Sequence, residues 1–127
     1  MKKYKLTSET ITIHGHTLYR IEALRDFGDV KKGDNGGFVE SEENLSHDGT
    51  AWVAGEAKVA GKARVYGEAR VYGEARVAGH ACIYGKARVY GEAYVHGCAE
   101  VYGVAVVCDN ARVCGMANVG GTAIVRE

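Results

Sequence analysis

Apolar and polar residues alternate in a six-residue pattern that runs without interruption from Gly49 to Arg126. The pattern is G-x-A-x-V-x and it occurs thirteen times. Its third position is always Ala, its fifth is Val except at Ile83, and its first is Gly except at Asp109. Residues two apart lie on the same side of an extended strand. Each block therefore predicts one short strand, with Ala and Val pointing inward and the fourth and sixth residues pointing outward.

Strands this short cannot bury their apolar side alone, whereas the successive turns of a solenoid give every strand neighbours above and below. Glycine at the first position suits a corner, because it accepts a positive φ or a close backbone approach. A helix does not fit, since the pattern lacks a 3.6-residue period and each interior glycine would cost about 1 kcal/mol. The repeat therefore predicts stacked coils of parallel strands.

The residues before the repeat predict a different structure. Residues 3–24 alternate as a β-hairpin would, and His14-Gly15-His16 lies where its turn is expected. The glycine-rich residues 33–37 lack the Lys-Ser/Thr ending of a phosphate-binding loop and precede a strand, so we interpret them as a turn. We interpret this region as a cap, because the first coil would otherwise expose unpaired backbone.

The solenoid is expected to begin before the consensus does, because Val39, Leu45 and Ala51 are six residues apart. The cap with a first partial coil is therefore assigned to residues 1–48, and the β-helix to residues 49–127.

The blocks resemble the hexapeptide-repeat superfamily, whose members wind three hexads per coil into a left-handed, triangular parallel β-helix. The resemblance covers residues 49–126. It implies about 18 residues per coil, roughly four coils and about 4.8 Å between coils. The predicted fold class is therefore all-β, a left-handed parallel β-helix of about four coils with an N-terminal β-hairpin cap.

The cap and the first coil also resemble small bacterial and phage-encoded hexapeptide proteins. The similarity lies in residues 26–30, 36–39, 44–46 and 52–53. It implies a microbial or viral origin.

Composition narrows the range of partners. Sixteen basic and sixteen acidic residues cancel, so the whole molecule indicates neither a membrane surface nor double-stranded nucleic acid as its partner. No stretch is long and apolar enough for a transmembrane helix. The four cysteines show no Cys-x-x-Cys pairing, which is typical of free thiols in a reducing compartment. We expect a cytoplasmic protein, located in the host cytoplasm if it is phage-encoded.

Three hexads per coil would stack residues 18 apart into columns and create three outward faces. The first face is predicted to bind ligand through an alternation of guanidinium and aromatic groups: Trp52, Arg70, Tyr72, Arg88 and Tyr90. Such groups can stack on a base and hold a phosphate, which favours a nucleotide-like or other anionic ligand. The alternative is ordinary strand decoration, since tyrosine has a high β propensity.

The other two faces predict assembly and stability. Small residues Ala60 and Ala78 on the second face would let another subunit approach closely. On the third face, Tyr66, Tyr84 and Tyr102 are expected to form an aromatic ladder that stabilises the sheet.

The last hexads carry few charges and many apolar residues at outward positions. Six residues are predicted to form an oligomer interface: Val104, Val106, Cys108, Cys114, Met116 and Ile124. An exposed apolar strip favours association. We expect a homo-oligomer, with a trimer implied by the superfamily and an end-to-end dimer as the next choice.

The superfamily also includes acyltransferases, in which a histidine acts as general base and acetyl coenzyme A lies between subunits. The resemblance would assign the catalytic role to His80 or His96, the two histidines of the repeat, because imidazole titrates near neutrality. Two features weigh against this activity. No loop interrupts the coils to shape an acceptor site, and the residue after the aliphatic one is Tyr, Ala, Cys or His where these enzymes usually have Gly.

Two His and Cys pairs separated by 18 residues could hold a metal or an activated thiolate, namely His80 with Cys98 and His96 with Cys114. No third and fourth ligand is evident in either column, so no metal is predicted. The chain also lacks the His-x4-His pair of the relatives that hydrate carbon dioxide.

The sequence as a whole predicts a non-catalytic, oligomeric binding protein of bacterial or phage type that needs no cofactor. One version of this hypothesis is a phage factor that binds or sequesters a host defence protein or a nucleotide-like ligand. The alternative is an acyltransferase that uses acetyl coenzyme A.

Overall fold

The computed structural model describes residues 2–126 and is almost entirely β-structure. One short 3₁₀ helix, Glu42–Asn44, lies among sixteen strands. The strands are β1 Tyr4–Ile13, β2 His16–Ala23, β3 Asn35–Val39, β4 Trp52–Val53, β5 Lys58–Val59, β6 Arg64–Val65, β7 Arg70–Val71, β8 Arg76–Val77, β9 Cys82–Ile83, β10 Arg88–Val89, β11 Tyr94–Val95, β12 Glu100–Val101, β13 Val106–Val107, β14 Arg112–Val113, β15 Asn118–Val119 and β16 Ile124–Val125.

The repeat strands stack in parallel into three sheets, as predicted. The first face is β4-β7-β10-β13-β16, the second is β3-β5-β8-β11-β14, and the third is β6-β9-β12-β15. Arg70 pairs with Arg88, and Tyr94 pairs with Arg112, so neighbouring strands are 18 residues apart. The chain is therefore a parallel β-solenoid, with one hexad on each face of each coil.

The solenoid has about five coils, one more than the sequence predicted. Each of two faces contains five stacked strands, and Leu45 adds a bridge to Val65 on the third. The extra coil escaped the repeat count because it has a different spacing. Phe38 pairs with Lys58, a separation of 20 residues. Val39 and Leu45 lie in register with Val59 and Val65, and the next residue in this series is Val53, which pairs with Val71. Ala51, six residues after Leu45, therefore does not continue the series as the sequence spacing suggested.

The predicted hairpin is present as β1 and β2, joined at His14 and Gly15, which both have positive φ. Two consecutive positive φ values make the tight turn that suits the twist of a hairpin. Strand β2 pairs with β3, so the hairpin extends the second face beyond the first coil.

The turn predicted at residues 33–37 is wrong for its second half, because Gly36 and Gly37 lie inside strand β3 and are buried. A Cβ on Gly36 would lie 2.5 Å from the Val53 carbonyl oxygen. Glycine is needed there because the backbones approach closely, which is another reason for glycine besides a turn.

The core is a stack of the inward alanines and aliphatic residues of the repeat. Both positions are essentially buried from Ala51 through Val113. Ala117 and Ala123, at the same positions in the last coil, are exposed, while Val119 and Val125 are only partly buried. The interior is therefore closed at the capped end and accessible in the last coil of the described chain.

Beneath the cap lies a buried charged group. Lys3 is fully buried, and its Nζ donates a hydrogen bond of 2.7 Å to the Ala51 carbonyl. Burial, with the nearby Arg25 and Arg70 charges, lowers the pKa of Lys3 to about 8. Across residues 2–126, no helix is long and apolar enough to cross a membrane.

Candidate functional site

The first face contains the columns that the sequence predicted. Arg70 lies beside Arg88, and the rings of Tyr72 and Tyr90 stack with centroids 4.9 Å apart and planes 7° apart. A groove of about 570 Å³ runs along this face. We call it the ladder groove, and its lining is Asp29, Thr50, Trp52, Ala54, Glu68, Arg70, Val71, Tyr72, Lys86 and Arg88.

Trp52 does not have the environment predicted for a stacking residue. Its side chain is only 3% exposed, because the cap covers this outward position. Its ring packs edge-on against Phe27 at 5.2 Å and Tyr4 at 6.4 Å. Trp52 therefore contributes an edge to the ladder groove and mainly joins the cap to the first coil.

Arg70 already has a partner from the cap. Its guanidinium lies 2.8 Å from the Asp29 carboxylate, and this hydrogen bond holds the pKa of Asp29 below its ordinary value. Lys86 and Arg88 make no ion pair with any group in residues 2–126. The cations available to an anion in the ladder groove are thus Lys86 and Arg88, with Arg70 accessible at the expense of its bond to Asp29.

The tyrosine ladder of the first face stops one coil short of the cap. Ala54 holds the position next to Tyr72, since the Ala54 amide donates to the Val71 carbonyl as the Tyr72 amide donates to that of Val89. Ala54 and Tyr72 both line the ladder groove. One face of the Tyr72 ring is covered by Tyr90, and the other faces a position where alanine leaves a gap about one ring thick. The sequence already showed that Ala54 precedes Tyr72 and Tyr90 in one column, but the prediction took Trp52 as the stacking residue of this coil.

The two repeat histidines lie in different surroundings. His80 is exposed at the rim of a second groove, whereas His96 is half-buried with its ring 4.3 Å from that of Tyr94. Neither imidazole hydrogen bonds to a side chain within residues 2–126. Within the described residues, no side chain therefore orients the ring of His80 or His96 as the predicted general base. No group of three potential metal ligands occurs in the same residues.

The second groove was not predicted from the sequence. It has a volume of about 510 Å³ and lies between the hairpin tip and strands β5 and β8. Its lining includes His14 and His16 of the hairpin and His80 of the repeat. We call it the hairpin groove.

The six residues predicted as an oligomer interface differ in exposure. Met116 is 85% exposed, Ile124 63% and Val104 50%. Cys114 is also exposed, and Val106 is partly buried. Cys108 is buried, which removes it from the predicted strip. It lies beside Tyr90, and a hydrogen bond between the two raises the pKa of Tyr90.

The aromatic ladder predicted for the third face is present. Tyr66 and Tyr84 stack at 5.0 Å, and Tyr84 and Tyr102 stack at 5.3 Å. The Tyr84 hydroxyl donates to Glu100 over 2.9 Å, which raises the pKa of Tyr84 to about 12. Tyr84 is thus stacked on both faces, whereas Tyr66 has one stacking partner and is 37% exposed.

The fold and these grooves define the class of the chain as a capped parallel β-solenoid with a cationic aromatic face. No protein-family model matches the sequence, and a search of curated proteins finds no significant match.

Proposed function

We propose that this chain is a non-catalytic binding protein of the left-handed hexapeptide-repeat class, and that its ladder groove holds a nucleotide-like anion. The gap at Ala54, beside the open face of Tyr72, carries the proposal. A planar base placed there would continue the stack of Tyr72 and Tyr90 at the natural spacing of the coils. Stacking on an aromatic side chain is worth about 1–3 kcal/mol per base.

The charges beside this gap suit a phosphate. Arg88 and Lys86 lie on the same groove without an acidic partner, and guanidinium groups bind phosphate through two parallel hydrogen bonds. Glu68 and Asp29 also line the groove and would oppose highly charged ligands. A ligand with one base and few phosphates therefore fits better than a polyanion.

Calorimetry with adenosine 5′-monophosphate, and with adenosine as the uncharged control, tests the proposal. The monophosphate should bind more tightly than adenosine. Arg88→Ala should weaken its binding about tenfold, the loss of roughly one charged hydrogen bond. Arg112→Ala, an exposed arginine on the second face, should leave the affinity unchanged.

Two further variants test the gap and its ion pair. Ala54→Tyr should abolish binding by filling the missing place in the ladder without removing a charge. Asp29→Asn should strengthen binding, because it releases Arg70. Binding that survives Ala54→Tyr would contradict the proposal.

Self-association is the second part of the proposal. Exposed Met116, Ile124 and Val104 place large apolar side chains on the last two coils, which favours contact with another copy. Light scattering at micromolar concentration should give a mass of two or three chains, and Met116→Lys with Ile124→Lys should reduce it to one. A single-chain mass for the unmodified protein would contradict this part.

A cytoplasmic phage factor that acts on a host defence component is the specific version that the resemblance of the cap supports. If the ligand is a nucleotide-like signal of that system, the protein would act by sequestering it. Purified protein incubated with the ligand should return it intact after denaturation, as a binding protein does and an enzyme does not.

Acyl transfer is the second candidate, since His80 lies at the rim of a groove. It requires acetyl coenzyme A to bind and His80→Ala or His96→Ala to abolish turnover. Calorimetry with acetyl coenzyme A, followed by an assay for free thiol, separates it from simple binding.

A further inference from the structure

The hairpin groove is built by two parts of the chain that are remote in sequence. The hairpin tip reaches past the end of β3 and lies over the outer side of strands β5 and β8. Leu18 and Phe38 are buried at its root, and the Arg20 guanidinium covers the Phe38 ring at 4.2 Å. The overhang is thus held in place by its own small cluster of packed side chains.

Every charged side chain that lines the hairpin groove is basic. These are Lys58, Lys62 and Arg76, and none of them makes an ion pair within residues 2–126. The Lys58 Nζ donates only to the Glu56 backbone carbonyl at 2.9 Å. Three unneutralised cations in one concave site favour an anionic ligand.

The Glu40 carboxylate contacts two residues of the groove and is thereby engaged. Glu40 lies 2.9 Å from His16 Nδ1 and accepts a hydrogen bond of 2.7 Å from the Gly61 amide. These contacts hold the pKa of Glu40 below its ordinary value. Glu40 therefore fixes the orientation of His16 and is itself engaged. Glu74 and Glu92 line a neighbouring groove that includes Arg76, but neither forms an ion pair with it.

The floor of the hairpin groove is apolar. Ile13, Ala60 and Ala78 are partly exposed and provide aliphatic surface, and the Tyr94 ring also lines the groove. Small residues at the two alanine positions are what keep the space open beneath the hairpin. A volume of about 510 Å³ falls within the usual range for small-molecule sites. The site therefore suits an apolar body as well as a charge.

His14 also lines this groove, at the turn of the hairpin. Its φ of 51° lies in the left-handed region, where histidine is one of the more frequent residues other than glycine. Its exposed imidazole adds a hydrogen-bonding group to the groove.

We propose that the hairpin groove binds a small organic anion, namely a carboxylate or phosphate monoester attached to a flat or short apolar body. Lys58, Lys62 and Arg76 hold the anionic group, and Ala60, Ala78 and Ile13 contact the body. This proposal is independent of the ladder groove, with which it shares no lining residue.

Histidine NMR provides a direct test with 2-naphthoate as the probe. The ring signals of His14, His16 and His80 should shift saturably, whereas those of His47 should not, because His47 lies in the cap bonded to Glu42. Uncharged 2-naphthol and inorganic phosphate, which each carry half of the required chemistry, should bind at least tenfold more weakly. Equal shifts at His47, or equal affinity for 2-naphthol, would overturn the proposal.

Variants then locate the probe. Lys62→Ala and Arg76→Ala should each weaken 2-naphthoate about tenfold, and Ala78→Trp should abolish binding by filling the floor. Arg88→Ala, in the ladder groove, is the matched control and should have no effect. If Arg88→Ala removes binding while Arg76→Ala does not, the probe occupies the ladder groove and the hairpin-groove proposal is wrong.

Discussion

The first and last coils of the solenoid carry equivalent positions with opposite surroundings. Trp52 and Ile124 lie in the same column of the first face, yet Trp52 is 3% exposed and Ile124 is 63% exposed. The cap covers the first coil, whereas Ala117 and Ala123 of the last coil lack cover within the described chain. Position in a repeat thus decides the direction of a side chain, while position along the axis decides its burial.

Hydrogen exchange should give the largest contrast between these regions. The amides of Tyr94, Glu100 and Val106 each donate to a carbonyl of the last coil at 2.9 Å. Their counterparts 18 residues later, Arg112, Asn118 and Ile124, have no such acceptor in residues 2–126. The first three should exchange orders of magnitude more slowly. Comparable rates in the two sets would show that another copy or segment protects the last coil.

Truncating the two equivalent side chains should produce the next largest difference. Trp52→Ala removes a buried ring between cap and solenoid, and should lower the free energy of unfolding by about 3–5 kcal/mol. Ile124→Ala should change it by no more than about 0.5 kcal/mol, as surface substitutions do. Urea denaturation monitored by circular dichroism measures both. Similar losses would mean that Ile124 is buried in solution.

Corner glycines allow the same comparison with the backbone conformation held constant. Gly97 and Gly115 have φ values of 72° and 66°. A Cβ on Gly97 would lie 2.7 Å from the Gly115 nitrogen, while one on Gly115 meets nothing within 4 Å. Gly115→Ala should cost roughly 1–2 kcal/mol for the left-handed conformation. Gly97→Ala should cost about 1–3 kcal/mol more for the clash between coils, and equal costs would refute the proposed role of the next coil.

The buried lysine of the cap should give an effect that appears only as a pH dependence. Folded Lys3 loses its proton above about pH 8, whereas the unfolded chain keeps it up to its ordinary pKa of 10.5. The unfolded state then binds more protons, so stability should rise with pH over this interval, by at most about 1.4 kcal/mol per pH unit. Lys3→Met should flatten the rise, and Lys5→Met, at an exposed position, should not.

Tyr4 should limit the rise of stability with pH at its alkaline end. Burial raises its pKa above the ordinary value of 10.0, so the unfolded chain releases the proton first and stability should fall above pH 10. Denaturation midpoints measured from pH 7 to 11 should therefore pass through a maximum. A profile of Lys3→Met identical to that of the unmodified protein would rule out Lys3 as the cause of the rise.

Most of the fold could be predicted because the inward Ala and Val positions repeat without error. The stacked short strands follow from that period, whereas the 18-residue register and the Tyr66 ladder were predicted from the three hexads per coil that the resemblance implies. The first partial coil was predicted, but its register was not, because Phe38 and Lys58 are 20 residues apart, and Gly36 was misread because glycine serves both turns and close packing. The site was predicted less well, since the columns identified Arg88 and Tyr72 but said nothing of what covers Trp52.

The local pattern determined the strands and their inward faces, because side chains alternate along a strand with a period of two. It also required stacking, because a strand this short cannot bury its apolar side alone. Tertiary structure alone decided where the cap folds back. That choice buries Trp52, pairs Arg70 with Asp29 and places the hairpin histidines in one groove with Arg76. The residues brought together are far apart in sequence, since His14 and Arg76 are separated by 62 positions. The repeat does not extend into the cap, so its period could not predict which cap residues line the two candidate grooves.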